Sequence, residues 1–234
     1  MSEMHCDKLK ILKVVDGEKV SQTDSVIRET EVVIKIDGRV HRRLTCLAEH
    51  LEELALGYLF DEGIASPSDI DIEVDGNVIS VSRKRCYRAH KPDVIDSDLK
   101  ATDSQILSWA EELNKSCPLH IKTGGTHIVG IAHGDIMFFV EDISRHCAID
   151  KAIGIAVRKG YEMSGCVLVT SCRQTVSAMK KAVRAGIPIV VAIAAPTTLA
   201  IKEAVDYGVT LVGFVRGRQF NIYSHPDRIV TGSR

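Results

Sequence analysis

The fold is decided by residues 164–226, which read SGCVLVTSCRQTVSAMKKAVRAGIPIVVAIAAPTTLAIKEAVDYGVTLVGFVRGRQFNIYSHP. Short apolar runs, rich in Val and Ile and with little alternation, are typical of strands that are buried on both faces of a parallel sheet. Helical patterns separate these runs and end at Gly186 and Gly208, since glycine readily takes the positive φ of a helix C-cap. The segment therefore predicts a β-α-β-α-β unit. Its strands are expected over residues 166–170, 187–193 and 209–214.

A polar or arginine-bearing motif follows each of these runs. The motifs are TSCR (170–173), APTT (195–198) and FVRGR (214–218), with helices expected to begin near Gln174 and Thr197. In open α/β sheets, ligands bind just beyond the carboxyl ends of the strands. Arginine can grip a phosphate or a guanine edge bidentately, and the free N–H groups of a helix start favour anions. A solvated turn or simple helix capping explains each motif taken singly, but three motifs on one sheet edge predict a phosphate-bearing ligand.

The first hundred residues read as a hairpin-rich part of the chain. The Asp-Gly dipeptides at 37–38 and 75–76 favour type I′ hairpin turns, because both residues tolerate a positive φ. Between them, apolar residues recur at helical spacing and predict a helix over residues 47–63, with Gly63 available as its C-cap. The strands expected around the two turns are 32–36, 40–46, 70–74 and 77–82.

Residues 101–234 read as an α/β core. Thr102 and Gln105 match a capping box that opens a helix through about Leu113, and an apolar face predicts a second helix over 144–159. Together these elements predict a single domain, residues 1–234, in which a hairpin-rich part (1–100) joins the core. The expected fold class is α/β, a three-layer α/β/α arrangement around a mixed sheet with N-terminal β-hairpin elements. Further core strands are expected over 128–132, 136–140 and 220–223.

Composition and charge exclude several classes of function. The net charge of −1 provides no global field for nucleic acid or for an anionic membrane, so any anion site must be local. The N-terminal MSEMHCDKLK is charged where a signal peptide needs an apolar core. Nowhere do about 18 apolar residues run together, as a membrane-spanning helix requires. We therefore expect a cytoplasmic protein with no nucleic-acid or membrane partner.

The seven cysteines are scattered along the chain, and no two of them have C-x-x-C spacing. In a reducing cytosol such cysteines are mostly free thiols. Structural zinc and iron–sulfur sites need paired spacings that this chain lacks, so no intrinsic metal is expected. Cys46 and Cys166 lie in apolar strand contexts and are interpreted as inert core residues.

Two cysteines have polar surroundings that could activate a thiol. Cys86 lies in the basic stretch RKRCYRAH (83–90), within a loop over residues 83–100 that has no periodicity. Neighbouring cations stabilise a thiolate, lower its pKa and favour nucleophilic or persulfide chemistry. Cys172, next to Arg173 at a strand-to-helix turn, is the second candidate. The alternative for Cys86 is a basic loop with an incidental cysteine.

Two further motifs admit a functional and a structural interpretation. Residues 141–151, EDISRHCAIDK, place a dense charged cluster that includes Arg145 and His146 between a buried strand and a helix. This cluster either lines a site or forms ion pairs that hold the helix start. Gly124 and Gly125, which precede His127, either bring backbone close to a ligand or form a tight turn.

Across residues 30–229 the chain resembles the FdhD/NarQ family, the formate dehydrogenase accessory sulfurtransferases. The resemblance is carried by AEHLEELALGYLFDEGI, TGGTH, EDISRHCAIDKAIG, TSCRQT, GIPIVVAIAAPTTLAIKEA and GVTLVGFVRGRQFNIYSHPDRI, taken in order. It implies a cytidine-deaminase-like fold and a homodimer. It also implies that a cysteine desulfurase supplies sulfur as a persulfide. The sulfur is then passed to the molybdenum (or tungsten) bis-guanine-dinucleotide cofactor before that cofactor enters formate dehydrogenase.

The resemblance implies that residues 214–219 bind the guanine-dinucleotide end of the cofactor, in agreement with the strand-end argument. Cys86 is then the persulfide candidate and Cys172 the second. The candidate cofactor-binding residues from both lines of reasoning are Gly124, Gly125, His127, Arg145, His146, Ser171, Arg173, Pro196, Thr197, Phe214, Val215, Arg216, Gly217, Arg218 and Gln219.

The chain departs from the family pattern in its sulfur-carrying loop. The family form is Ser-Cys-Gly-x-Cys-Gly, whereas this region contains only Cys86. The chain also has Ser171-Cys172-Arg173 where members usually read Ser-Gly-Arg, and Cys147 where they read Asn. Two hypotheses follow: a sulfur carrier that uses Cys86, or a non-catalytic cofactor chaperone or regulator that kept the nucleotide site. A divergent enzyme acting on another phosphorylated metabolite is a third. The zinc signature of deaminases is absent from the sequence.

Overall fold

The structure is a computed structural model that describes residues 5–63, 67–84 and 92–232. The helices are α1 (Leu51–Asp61), α2 (Asp103–Lys115), α3 (Pro118–Thr123), α4 (Arg145–Arg158), α5 (Val176–Ala185) and α6 (Thr198–Asp206). The strands are β1 (Cys6–Val15), β2 (Glu18–Ile27), β3 (Thr30–Ile36), β4 (Arg39–Cys46), β5 (Ile70–Asp75), β6 (Val78–Arg83), β7 (Ala101–Thr102), β8 (His127–His133), β9 (Ile136–Asp142), β10 (Cys166–Thr170), β11 (Ile189–Ala192), β12 (Thr210–Arg216), β13 (Gln219–Ser224) and β14 (Ile229–Val230).

A six-stranded mixed sheet in the order β13-β12-β11-β10-β8-β9 forms the centre of the molecule. Strands β10, β11 and β12 are parallel to one another, and the other neighbours are antiparallel. The predicted β-α-β-α-β unit is therefore confirmed, with α5 and α6 as its crossover helices. Gly186, which ends α5, has a φ of 75°, and Gly208, just beyond α6, has a φ of 73°.

Helices cover both faces of this sheet, because its buried side chains alternate between two hydrophobic clusters. Burial of each large aliphatic side chain contributes about 1.5–3 kcal/mol. The cluster with α4, α5 and α6 includes Val129, Ile131, Leu168, Val190 and Leu211. The cluster with α2 includes Ile128, Val167, Val169, Val191 and Val212.

The hairpin-rich part contains a four-stranded sheet in the order β4-β3-β6-β5. Asp37 and Gly38 have φ values of 49° and 77°, as the predicted type I′ turn requires. The same prediction at 75–76 is wrong, because β5 extends to Asp75 and pairs it with Val78. The turn is then Gly76-Asn77, in which only the glycine has a positive φ. The hairpin β1–β2 was not predicted, although its turn, Asp16-Gly17, carries the same signal, with φ values of 50° and 87°. Most residues of its two strands are exposed.

Helices α1 and α4 join the hairpin-rich part to the core. A Cβ added to Gly57 would lie 1.8 Å from the Asp150 carbonyl oxygen, and one added to Gly154 would lie 1.9 Å from that of Glu53. The two backbones therefore touch where each helix has a glycine. Helix α1 begins at Leu51 rather than at the predicted Leu47, and Leu47 is buried outside the helix.

Two buried lysines reinforce this junction. Lys151 is fully buried, pairs with Asp142 at 2.6 Å and donates to the Leu47 carbonyl oxygen at 2.9 Å. Lys181 bridges Asp61 of α1 and Asp150 of α4, at 2.8 and 2.7 Å. Both lysines therefore connect the hairpin-rich part to the α/β core. None of the helices within the described ranges is long and apolar enough to cross a membrane.

Candidate functional site

The sheet register brings the predicted motifs to one edge of the central sheet. Thr170 at the end of β10 pairs with Ala192 of β11 and with Val129 near the start of β8. Strand β12 runs parallel to β11, and β9 ends at Asp142 opposite His127. We call this edge the carboxyl edge. It comprises residues 124–127, 142–145, 171–173, 195–197 and 214–219.

At one end of the carboxyl edge, the β12–β13 hairpin presents Phe214 in a strained conformation. Phe214 has a φ of 56°, and it lies at a register shift between Gly213 and Arg216. A bulky residue in the left-handed region costs about 1–3 kcal/mol, and such strain concentrates at ligand clamps and active sites. The Phe214 ring is 38% exposed, and the Arg216 guanidinium carbon lies 5.9 Å from its centroid.

The rest of this hairpin alternates between the core and an open groove. Val215 is buried in the cluster beneath α2, whereas Arg216 and Arg218 are exposed. Gly217 forms the turn with a φ of 58°. These residues line a groove of about 710 Å³ between the hairpin and α2. The adjoining depressions, of about 690 and 480 Å³, are lined by Gln219 and its neighbours.

A second group of basic side chains, His127, Arg145 and Arg173, lies further along the carboxyl edge. His127 is half-buried, and its pKa is lowered by burial first and then by the nearby charges of Arg145, His120 and Arg173. Asp142 acts in the opposite direction. His127 is therefore neutral at neutral pH and can donate one hydrogen bond and accept another.

The arginines of the carboxyl edge lack carboxylate partners. Within residues 5–63, 67–84 and 92–232, no carboxylate lies within 4 Å of Arg145, Arg173, Arg216 or Arg218. Neighbouring strands are about 4.8 Å apart, so β12 and β9 are separated by roughly 19 Å. The edge therefore presents unneutralised positive charge over a length suited to an extended anion. Ion-paired arginines lie elsewhere on the surface: Arg28 with Asp7, Arg43 with Glu31, Arg83 with Asp37, and Arg158 with Glu52 and Glu53.

The hydroxyl groups of the strand-end motifs have structural roles. The Ser171 hydroxyl accepts a hydrogen bond from the Ile128 backbone N–H at 2.9 Å. The Thr197 hydroxyl accepts one from Ala200 at 3.4 Å and caps α6, so the capping interpretation holds there. Helix α5 begins after its N-cap Thr175, which leaves Ser171 and Arg173 in a loop rather than at a helix start.

The glycines and proline of the edge also shape its loops. Gly124 caps α3 with a φ of 64°. A Cβ on Gly125 would lie 3.0 Å from the Ile27 methyl group, so the glycine permits close packing on β2. Pro196 forms an isolated bridge with Gln174 between two loops.

The charged cluster at 141–151 is divided between structural and site roles. Glu141 accepts hydrogen bonds from the backbone N–H of Leu119 and from Thr126. Asp142 pairs with Lys151, so these carboxylates hold the local fold. Arg145 has no such partner among the described residues and contributes to the carboxyl edge.

His146 does not lie at the carboxyl edge. Its ring contacts the Ser177 hydroxyl at 3.0 Å, in a cleft of about 510 Å³ between β4, α1, α4 and α5. Burial lowers its pKa first, followed by the charge of Lys181. His146 is thus separate from the other candidates, because the first turn of α4 directs it away from Arg145.

The candidate thiols differ in what the structure says of them. Cys86 lies outside the described residues. Cys172 is 1% exposed, and burial raises its pKa, so its surroundings do not favour a reactive thiolate. A pair that the sequence did not indicate lies in the cleft region: Cys46 is fully buried in the same hydrophobic cluster as Cys147, which lines the cleft and is 2% exposed. The two are separated by a hundred residues of chain, so no local motif connects them.

The structure is therefore that of a mixed α/β protein. Arginines without a carboxylate partner among the described residues lie beyond the carboxyl ends of its strands. The model of the FdhD/NarQ family matches residues 80–230. The chain belongs to the FdhD/NarQ family, as the sequence resemblance predicted.

Individual relatives match nearly the whole chain. The sulfur carrier protein FdhD of Methanothermobacter thermautotrophicus is 35% identical and covers 92% of this chain and 96% of its own. The sulfur carrier protein FdhD of Sulfolobus acidocaldarius is 34% identical and covers 97% of this chain and 99% of its own. A crystal structure from Desulfotalea psychrophila, provisionally assigned as a formate dehydrogenase accessory protein, aligns with a TM-score of 0.87. It is 27% identical and covers 97% of this chain and all of its own.

Proposed function

We propose that this protein is a sulfur carrier in the maturation of formate dehydrogenase. It takes sulfur as a persulfide from a cysteine desulfurase and passes it to the molybdenum (or tungsten) bis-guanine-dinucleotide cofactor, which is its substrate. Membership of the FdhD/NarQ family supports this role, as do the names of relatives that match over nine-tenths of the chain. We also propose a homodimer and a cytidine-deaminase-like arrangement of layers, both of which the family resemblance implied.

The observation that carries the proposal is the row of unpaired arginines on the carboxyl edge. A guanine dinucleotide carries a pyrophosphate, and arginine binds phosphate oxygens bidentately. Arg216 and Arg218 form one group, and Arg145 and Arg173 form another, at a separation of roughly 10–20 Å by strand spacing. Two separated groups suit a substrate that carries two pyrophosphates. The exposed Phe214 ring offers a face on which guanine can stack.

The sulfur step assigned to Cys86 is a transfer between thiols. The Cys86 thiolate attacks the outer sulfur of the desulfurase persulfide, and a new sulfur–sulfur bond forms. The bond within the donor persulfide breaks, and the desulfurase thiolate leaves. Atoms and electrons balance without any oxidant or reductant. Arg85 and Arg88 flank Cys86 in the sequence and are the cations we assign to stabilising the attacking thiolate, since Arg83 and Lys84 pair with Asp37 and Asp71.

The second candidate is a non-catalytic chaperone or regulator of the same cofactor. The observation that favours it is the composition of residues 83–100, where Cys86 has no partner cysteine. In this case the carboxyl edge binds the guanine dinucleotide, and no cysteine carries sulfur.

Loading by a cysteine desulfurase separates the two candidates. The protein is incubated with desulfurase and cysteine, and intact mass spectrometry with peptide mapping locates any added sulfur. The sulfur-carrier function predicts one cyanide-labile sulfur on Cys86, lost in Cys86→Ala and retained in Cys172→Ala. Unchanged loading of Cys86→Ala rejects the assignment of Cys86. Absence of loading in every variant, with GDP still bound, favours the chaperone.

A further inference from the structure

The hairpin β1–β2 is a long two-stranded ribbon, and most of its residues are exposed. Its base packs on the rest of the molecule, where Cys6 and Ile27 join the hydrophobic cluster of Leu47 and Leu119. From this base to the turn at residues 16–17, the paired strands span about 30 Å. A two-stranded hairpin without further packing is at best marginally stable in water. We therefore expect this ribbon to have a contact partner along its strands.

Exposed apolar side chains are concentrated on this ribbon. Within the described ranges, it carries six of the fourteen large hydrophobic side chains that are exposed: Leu9, Leu12, Val14, Val15, Val20 and Val26. Single exposed apolar residues are normal on a protein surface, whereas a contiguous group of them marks an interaction site. The ribbon therefore has the composition of an interface.

The strand register divides the side chains of the ribbon between two faces, because directly opposed residues of an antiparallel pair lie on the same face. Cys6 and its partner Ile27 belong to the face that packs on the rest of the molecule at the base. We call the opposite face the outer face. It consists of five cross-strand pairs, each with one apolar and one polar residue: Asp7–Val26, Leu9–Asp24, Ile11–Gln22, Lys13–Val20 and Val15–Glu18. A continuous apolar stripe therefore runs along the outer face from base to tip.

We propose that the outer face packs against the outer face of a second copy of this chain. The two ribbons are antiparallel, and the two-fold axis passes through the central pair, Ile11–Gln22. An interface about a two-fold axis must be self-complementary, and a stripe that crosses the axis meets its own copy along its whole length. Since a homodimer is already part of the proposed function, this interface rests on that proposal and specifies which surfaces meet.

The charges of the outer face favour the antiparallel arrangement. Lys13 and Asp24 belong to the pairs on either side of Ile11–Gln22, so the two-fold axis places Lys13 of each copy beside Asp24 of the other. Within one ribbon the two residues are four positions apart, or about 14 Å, which is too far for an ion pair. Neither forms an ion pair within residues 5–63, 67–84 and 92–232. A parallel arrangement would instead bring each residue against its own copy, and apposed like charges are unfavourable.

The two ends of the ribbon are compatible with the same arrangement. Asp7 at the base of one copy lies near Glu18 at the tip of the other, and these two carboxylates would repel each other. Arg28 at the base pairs with Asp7. Its guanidinium therefore supplies a cation between the two carboxylates.

The first test measures the mass of the full chain in solution by sedimentation equilibrium over a range of concentrations. We expect a dimer whose dissociation constant rises at least about tenfold in Ile11→Asp, because two carboxylates then meet at the axis. The matched control, Leu12→Asp, changes the neighbouring residue, which is exposed on the opposite face. It should leave the dissociation constant unchanged. Thermal unfolding of each variant identifies any that fail to fold.

A charge exchange tests the antiparallel arrangement without removing any apolar surface. Lys13→Glu and Asp24→Lys should each weaken the dimer, because each variant alone brings like charges together at both contacts. Mixed in equal amounts, the two variants should form a heterodimer with an affinity near that of the unmodified chain. In that heterodimer both contacts join opposite charges. Lys10→Glu, on the opposite face, makes the same change of charge and should dimerise normally.

The possible failures point to different parts of the proposal. A dimer that persists in folded Ile11→Asp, or charge variants that do not combine, overturns this interface and leaves the homodimer in place. A monomer at every concentration of the unmodified chain overturns the homodimer and the interface together. Neither GDP nor a desulfurase enters these measurements, so failure of sulfur loading at Cys86 is a separate result that bears on the sulfur-carrier function alone.

Discussion

The carboxyl edge and the junction between the two parts of the chain differ in how their charges are balanced. At the junction, Lys151 and Lys181 are buried, and each pairs with carboxylates at hydrogen-bond distance. On the carboxyl edge, Arg145, Arg173 and the two arginines of the β12–β13 hairpin have no carboxylate partner among the described residues. Charge that holds this fold together is therefore neutralised within the protein, and charge left unpaired is available to a ligand.

The difference follows from the cost of removing a charge from water. A buried ion whose partner is removed keeps its desolvation cost without the attraction that offset it. An exposed arginine stays hydrated, so it needs no partner for the chain to fold. Substitutions at the junction should therefore change stability, and substitutions on the carboxyl edge should change binding.

The largest effect is expected for Lys151→Met at the junction. This substitution leaves the Asp142 carboxylate buried without its cation, so we expect the free energy of unfolding to fall by about 3–5 kcal/mol. Chemical denaturation measures it. The matched control is Lys202→Met, which breaks the exposed pair with Asp206 on α6 and should cost less than about 1 kcal/mol.

The double variant Asp142→Leu/Lys151→Met sharpens this test. Replacing both partners with apolar residues removes the uncompensated charge, so part of the lost stability should return. A double variant no more stable than Lys151→Met would show that the hydrogen bonds to Leu47 matter more than the ion pair. Equal losses in Lys151→Met and Lys202→Met would contradict the contrast between the junction and the surface.

The next effect concerns the carboxyl edge. Arg216→Ala/Arg218→Ala should weaken GDP binding by about 10–100-fold, because a hydrogen bond to a charged group contributes about 1.5–3 kcal/mol. Calorimetric titration measures the affinity, and the midpoint of thermal unfolding should stay within about 2 °C. The control Arg43→Ala removes an exposed, ion-paired arginine of β4 and should leave GDP affinity unchanged. Unaltered GDP affinity in the double variant would contradict the proposed nucleotide site.

The sequence predicted the carboxyl edge better than the junction. Periodicity and glycine caps placed β10, β11 and β12 in order, so the arginines that follow them could be assigned to one edge. The junction depends on contacts between distant residues, such as Lys181 with Asp61, separated by 120 positions. The location of His146 in the cleft could not be predicted for a related reason: adjacent residues of a helix point in different directions, and only the packing of α5 shows which one faces the edge.

A pH dependence should also distinguish the junction from the carboxyl edge. Burial raises the pKa of Asp150 in the folded protein to about 7, although Lys181 acts against this shift. An ordinary carboxyl titrates near 4 when unfolded, so between about pH 4 and 7 the folded state binds more protons. Stability contributed by this group must then fall as pH rises through that window. Lys181, whose pKa is raised, stays charged throughout.

The measurement is the free energy of unfolding of the protein and of Asp150→Asn at pH 5 and pH 7.5. The asparagine cannot ionise, so the unmodified protein should lose stability relative to the variant as the pH rises. Parallel behaviour of the two proteins would mean that Asp150 is ionised at both pH values and that Lys181 outweighs burial.

The smallest effect tests whether every polar group on the carboxyl edge belongs to the ligand site. The Thr197 hydroxyl caps α6, so Thr197→Ala should lower the free energy of unfolding by about 1 kcal/mol and leave GDP affinity unchanged. Thr102→Ala removes the equivalent cap from α2 and serves as the matched control for stability. A loss of GDP affinity in Thr197→Ala alone would show that this hydroxyl contributes to ligand binding as well as to the helix cap. In that case the contrast between paired and unpaired groups would hold for the arginines but not for the hydroxyls beside them.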